Sequence, residues 1–190
     1  MNAKFVSVIK RHQRTKNVEV EMRLGTITKQ GFDTNVGKER YDRIHRALSK
    51  FGGWEEVVNS RTNAYYLGDL RHIMDDDSDD MVSVVKKSVK KIDHAGHPMD
   101  VRLSIATETP CELDGEEVFE RSCLRDRVSF VRKNVSIDLT VVTGDATDVD
   151  EESPTQYQVE LEIIDPTKFT ADAEIENMVQ KMADVMKILA

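Results

Sequence analysis

Hydrophobic and polar residues alternate through most of this chain. "VEVEMRLG" at 18–25 is the first such run. In a β-strand successive side chains point to opposite faces, so Val18, Val20, Met22 and Leu24 share one face and Glu19, Glu21 and Arg23 the other. Gly25 closes the strand. Between 36 and 51 the spacing changes. Val36, Tyr41, Ile44, Leu48 and Phe51 recur with a helical period and Gly52 and Gly53 stop them, which predicts a helix over 37–51. From Trp54 to about residue 142 the period returns to two. "WEEVVNSRTNAYYLGDLRHIM" reads as two strands or a hairpin, "MVSVVKKSVKKI" as a strand, and "VRLSIATE" as a strand ended by Pro110. "RSCLRDRVSFVRKNVSIDLTVV" is a hairpin turning near Lys133–Asn134, and "YQVELEII" is a last strand that Pro166 closes. Ile175, Met178, Val179, Met182, Val185, Met186 and Leu189 then form the apolar stripe of a C-terminal amphipathic helix.

The remaining segments carry little periodicity. Residues 1–16 are a basic, weakly apolar lead-in with no element assigned. "MDDDSDDM" is an acidic turn, and 144–156 is an acidic loop expected to be mobile. The sum is about eight strands and two helices, mostly antiparallel, in a single domain over 1–190 with its terminal helix at 170–190. The fold class is mainly β (α+β). A sheet of this size tends to curl or close into a barrel.

Composition narrows the function. The chain has 190 residues, 33% of them charged, and a formal net charge of −8, which argues against a general polyanion binder with a basic surface. Two cysteines, Cys111 and Cys123, make neither a disulfide framework nor a cysteine-rich zinc site, and the five histidines lack metal-ligand spacing. A metal here would sit on oxygen ligands, which favours Mg²⁺ or Mn²⁺. No run suits a signal peptide or a membrane span, so an intracellular protein without a membrane partner is expected.

The polar faces of the strands carry the chemistry. Glu160 and Glu162 repeat the pattern of Glu19 and Glu21 at the other end of the chain. Arg102 and Glu108 share a face, as do Arg125 and Arg127, Asp138 and Thr140, and Lys86 and Lys90. Lys86 is favoured over Lys87 because it places Lys90 on the same side. If these faces were all wet, nothing more would need explaining, and a non-catalytic barrel with exposed glutamates stays open. If the aliphatic faces point outward under the helices, the polar faces line an interior, which must be charge-paired because isolated buried charges are very costly. Glu19, Glu21, Glu108, Asp138, Glu160 and Glu162 would face Arg23, Arg71, Lys86, Lys90, Arg102, Arg125 and Arg127, a near balance. Such a cavity suits a polyphosphate with a divalent cation: guanidinium and ammonium grip phosphate, and carboxylates hold the metal.

An ExExR strand near one end, an ExE strand near the other, and "RLSIATE", "RDRVSF" and "IDLT" in order between them resemble the triphosphate tunnel metalloenzymes. More narrowly, the chain resembles the metal-dependent mRNA-capping RNA triphosphatases of fungi, protozoa and large DNA viruses, with a size like the small chlorella virus type. The resemblance implies an eight-stranded antiparallel tunnel that hydrolyses the γ-phosphate of 5′-triphosphate RNA, with a side activity on nucleoside triphosphates. It implies Glu19, Glu21, Glu160 and Glu162 as metal ligands, Arg71, Lys86, Arg125 and Arg127 on the triphosphate, and Glu108 positioning the attacking water. Arg23, Lys90, Arg102, Asp138 and Thr140 would support them. An RNA guanylyltransferase is the implied partner, the nucleus or cytoplasm of a host cell the location if the source is viral, and a monomer or homodimer the assembly. The chain departs from the family at Cys123, where a basic residue is usual unless Arg121 substitutes, and at Ser136. Arg23 in place of a lysine leans away from the sister group that acts on tripolyphosphate and other small triphosphates, which is the alternative activity.

Overall fold

A computed structural model describes residues 2–76, 78, 80–144 and 154–190. In chain order the elements are α1 (Asn2–His12), β1 (Val18–Thr28), β2 (Gly31–Asp33), α2 (Lys38–Lys50), β3 (Glu56–Leu67), β4 (Leu70–Asp75), β5 (Met81–His94), β6 (Asp100–Pro110), β7 (Arg121–Arg132), β8 (Val135–Gly144), β9 (Thr155–Ile163) and α3 (Asp172–Lys187). The strands follow the order β2-β1-β6-β5-β4-β3-β7-β8-β9, and β1 also pairs with β9. Every pairing is antiparallel, so eight strands close into a barrel and β2 stands outside it as a short flap on β1.

The aliphatic faces point outward. Val20, Met22, Leu24, Leu103, Ile105, Leu139, Leu161 and Ile163 are buried on the outer wall, beneath Phe5 and Ile9 of α1, Ile44 and Leu48 of α2, and Ile175, Val179 and Met182 of α3. The hydrophobic core therefore lies between barrel and helices, where each fully buried aliphatic side chain contributes roughly 1.5–3 kcal/mol. The helices cover one half of the wall. On the β3–β4–β5 half, Val57, Met74 and Met81 stay exposed. Among the described residues, no helix is long and apolar enough to cross a membrane.

Several sequence expectations need correction. The lead-in over 1–16 contains a helix, α1, whose Phe5, Val6 and Ile9 are buried and whose Lys10 pairs with Asp172 at 2.7 Å. With three turns and a basic composition it draws its stability from docking, not from propensity. β1 does not end at Gly25 but runs on to Thr28. Gly25 is required mid-strand because a Cβ there would lie 2.2 Å from the Asp33 carbonyl and 2.4 Å from the Phe32 ring, which folds back over it. That flap adds a ninth strand to the expected eight. Of the acidic loop over 144–156, Gly144 ends β8 and Thr155 and Gln156 open β9, while 145–153 lie outside the described residues.

Candidate active site

Register brings the polar faces together inside the barrel. Arg23 stands opposite Glu160 and Glu21 opposite Glu162 across β1–β9. Asp138 faces Glu160 across β8–β9, Arg127 faces Thr140 across β7–β8, and Lys86 faces Glu108 across β5–β6. Residues separated by some 140 positions of sequence thus meet in one lumen because the sheet closes.

The acids form one cluster, threaded by the chain's own cations. Lys86 Nζ pairs with Glu19, lies 3.2 Å from Glu108 and 4.0 Å from Glu21. Arg23 Nη2 bridges Glu21 at 3.0 Å and Glu160 at 2.9 Å. Arg127 donates to Thr140 Oγ1 at 3.0 Å and pairs with Asp138 and Glu160, both at 3.4 Å. Asp138 and Thr140, both buried, hold Arg127 in place, and the Ser136 hydroxyl caps the other Asp138 oxygen. Glu108 is the most open of these acids, with its side chain 34% exposed, and Arg71 reaches it at 4.0 Å.

The electrostatics divide the glutamates. Burial and the neighbouring Glu21 push Glu19 up to about 7, against the pull of Lys86. Burial, Glu19 and Asp138 push Glu162 up to about 7 as well. Burial would raise Glu160 too, but Arg23, Arg127 and Arg125 surround it and hold it down to about 2. Glu160 is thus an anion at physiological pH, and Glu19 and Glu162 are two carboxyls whose negative charges are only partly offset by Lys86 and Arg127.

This donor set fits a hard divalent cation. It is four carboxylates, and Glu19 Oε2 and Glu160 Oε1 are buried with ionic partners but no aligned hydrogen bond. Among the described residues no three acidic, histidine or cysteine side chains already stand at ligand spacing, because Lys86 and Arg23 lie among them.

Beyond the acids the lumen turns basic. Arg23, Arg71, Arg121 and Arg125, with Tyr66, Cys123, Gln156 and Gln158, line a cavity of about 170 Å³ with no acidic side chain among the described residues of its wall. Arg125 is largely buried there, its pKa lowered by burial and by Arg127, and it has no hydrogen bond or ion pair among the described residues. A larger apolar groove of about 430 Å³, between α2, α3 and β8, lies on the outside of the barrel and contains none of these charges.

Two expected supporting residues stand apart from the acids, one of them on the other face. Lys90 does not share the face of Lys86: a bulge between Ser88 and Lys90 makes Lys90 the partner of Ile105 and Lys91 that of Ser104, so the parity reverses. Lys86 does face the lumen, though the reason for preferring it does not hold. Arg102 keeps the inward face, opposite Arg23 across β1–β6, but its guanidinium makes a two-point contact with Asp93, at 2.6 and 2.8 Å, and covers the Phe32 ring instead of touching the acid cluster. Gln156 and Gln158 face the lumen without having been singled out, and Tyr66, which the sequence suggests is a packing residue like Trp54 and Tyr65, faces it too. The two glutamines are in phase with Glu160 and Glu162, a signal present in "QYQVELE", whereas Tyr66 needed the pairing of β3 with β4 and β7. Trp54 and Tyr65 pack against Phe130 and Phe119.

Comparison with known proteins agrees with this architecture. The RNA triphosphatase Pct1 of S. pombe superposes with a TM-score of 0.79 at 19% identity, covering 99% of this chain and 91% of its own. Its complex with the Spt5 CTD gives 0.78, with the same identity and coverage. The Mimivirus capping enzyme triphosphatase gives 0.67 at 15% identity, covering 98% and 96%. These likenesses establish a shared tunnel fold. No curated protein matches the sequence. The family model for the β chain of mRNA capping enzyme matches residues 37–190, so Glu19 and Glu21 lie outside the match and are tied to the site by β1–β9 register. With that match spanning most of its length, the chain belongs to the mRNA capping enzyme β-chain family.

Proposed function

We propose that this chain removes the γ-phosphate from 5′-triphosphate RNA, leaving the 5′-diphosphate end from which a cap is built. One observation carries the reading: a largely buried Arg125, without an ion pair among the described residues, lies in a basic pocket that directly adjoins a cluster of four glutamates within one closed barrel. The first half suits a chain of phosphates and the second a cation.

Glu19, Glu21, Glu160 and Glu162 hold the divalent cation, Mg²⁺ or Mn²⁺. The bound cation would neutralise charge on the γ-phosphate and polarise it toward attack. Arg71, Arg125, Arg127 and Lys86 bind and orient the triphosphate, and Arg23 bridges Glu21 and Glu160 and anchors both. Glu108, the most open carboxylate of the cluster, orients the attacking water and accepts its proton. Asp138 and Thr140 fix Arg127. Nucleoside triphosphates share the same triphosphate and are accepted as secondary substrates. An RNA guanylyltransferase would take the diphosphate product; the Mimivirus relative is one domain of a trifunctional capping enzyme, which supports such a partnership. A substrate made during transcription points to an intracellular site of action.

Phosphate release from triphosphate-ended RNA, measured with Mn²⁺, with Mg²⁺ and with EDTA, tests the reading. Turnover that needs the metal and is faster per active site on RNA than on inorganic tripolyphosphate supports it. Metal-independent turnover, or none under any condition, rejects it.

A further inference from the structure

Three inward positions stand side by side on β4, β3 and β7. Arg71 is the register partner of Tyr66 on one side and Arg121 its partner on the other. The Arg121 guanidinium lies 4.2 Å from the centroid of the Tyr66 ring, and that of Arg71 lies 5.7 Å from it. The Tyr66 hydroxyl sits 3.8 Å from Cys123 Sγ, and burial pushes its pKa up, so the ring is neutral at physiological pH. The electron-rich face of a ring attracts a guanidinium. Here one ring seats two, on the wall of the same cavity as Arg125, and a group of guanidiniums of this kind suits phosphate.

The place of this trio along the tunnel decides which anion. Arg127 touches Glu160 at the acid cluster, and Arg121 is six residues further along β7, about 20 Å of strand. A triphosphate with its γ-phosphate at the acids passes Arg125 first and approaches Arg121 at its RNA end. Arg121 is itself exposed, where the lumen opens.

We propose that Tyr66 is a positioning residue whose ring seats Arg121 beside Arg71, making Arg121 a contact for the first backbone phosphates of the RNA beyond the triphosphate. The site thereby distinguishes a triphosphate attached to RNA from a free one. This rests on the reading of the tunnel as a 5′-triphosphate site.

The test compares wild type with Tyr66→Leu, Tyr66→Phe, Arg121→Gln and the Leu/Gln double variant. It reads KM and kcat on triphosphate-ended RNA, and the inhibition constant of inorganic tripolyphosphate as a competitor. Tyr66→Leu and Arg121→Gln should each raise KM about tenfold, with kcat falling much less. The double variant should be no worse than Arg121→Gln alone, because the ring acts through that arginine. Tyr66→Phe, which keeps the ring, should recover most of the affinity, and the tripolyphosphate constant should move less than twofold throughout. An unchanged KM in Tyr66→Leu overturns the proposal. So does an equal effect on tripolyphosphate, or a drop in kcat and melting temperature without a change in KM. Wild-type protein that fails to hydrolyse the RNA would instead defeat the proposed function, a separate and visible outcome.

Discussion

Replacing Glu162 by glutamine should make the metal-free protein more stable while removing its activity. The wild-type carboxyl is moved from 4.5 up to about 7 by burial, Glu19 and Asp138. Below pH 4.5 it is protonated in folded and unfolded chains alike and costs nothing. As the pH climbs toward 7 the unfolded chain ionises first, so stability falls. Above 7 the cost levels at about 3 kcal/mol. Glutamine has nearly the same shape and no charge, so Glu162→Gln lifts that cost: about 3 kcal/mol at pH 8 and about 1 kcal/mol at pH 5. For a chain of this length each kcal/mol moves the melting temperature by roughly 2–4 °C. In EDTA the variant should therefore melt about 6–12 °C above wild type at pH 8, and only a few degrees above it at pH 5. Scanning calorimetry at the two pH values measures this directly. Saturating Mn²⁺ should then stabilise wild type far more than the variant, and the variant should release no phosphate from RNA. A variant that melts at or below wild type at pH 8 in EDTA refutes the picture of mutually repelling glutamates.

Other outcomes follow from the same geometry. Metal affinity should rise as pH increases through 7, because Glu19 and Glu162 must lose their protons to bind; titration calorimetry in two buffers of different ionisation enthalpy should show proton release, and pH-independent binding without it would contradict the assignment. Glu160→Ala should abolish turnover and also destabilise the fold by about 1–3 kcal/mol, since Arg23 and Arg127 each lose one carboxylate and keep only Glu21 and Asp138; a stable, active variant counts against both roles. Lys86→Met should lose activity while Lys90→Met keeps it within twofold, and the reverse ranking would overturn the assignment of Lys86 to the triphosphate. Phe5→Ala in α1 should lower stability by about 3–5 kcal/mol by urea unfolding, although the helix is remote from the tunnel charges.

Much of the site could be read from alternation alone. Once "VEVEMRLG" and "YQVELEII" are placed on strands, Glu19 with Glu21 and Glu160 with Glu162 must share faces, and the structure puts those four together. Arg125, Arg127, Asp138 and Thr140 follow by the same rule. The errors have local physical causes. Alternation survives only as long as a strand is regular, and the bulge at Val89 reverses it, which removed Lys90 from the lumen. Gly25 looked like a strand end because a missing side chain has several uses, and here it makes room for the Phe32 ring. The N-terminal helix escaped notice because its apolar stripe is short and its stability comes from contact with the barrel and α3.

The sequence by itself determined which side chains share a face of each strand, and that one face in nearly every strand is charged. That much is stereochemistry, because a β-residue has only two directions to point. Whether the charged faces looked inward or outward, and which acid met which base, was decided by tertiary structure. Only packing of Phe5, Ile44, Val179 and their neighbours onto the outer wall turned the aliphatic faces outward. Only closure of β1 on β9 brought Arg23 to Glu160, and only the pairing of β3 with both β4 and β7 set Tyr66 between two arginines. These are long-range choices of burial and register, and no pattern within a single strand encodes them.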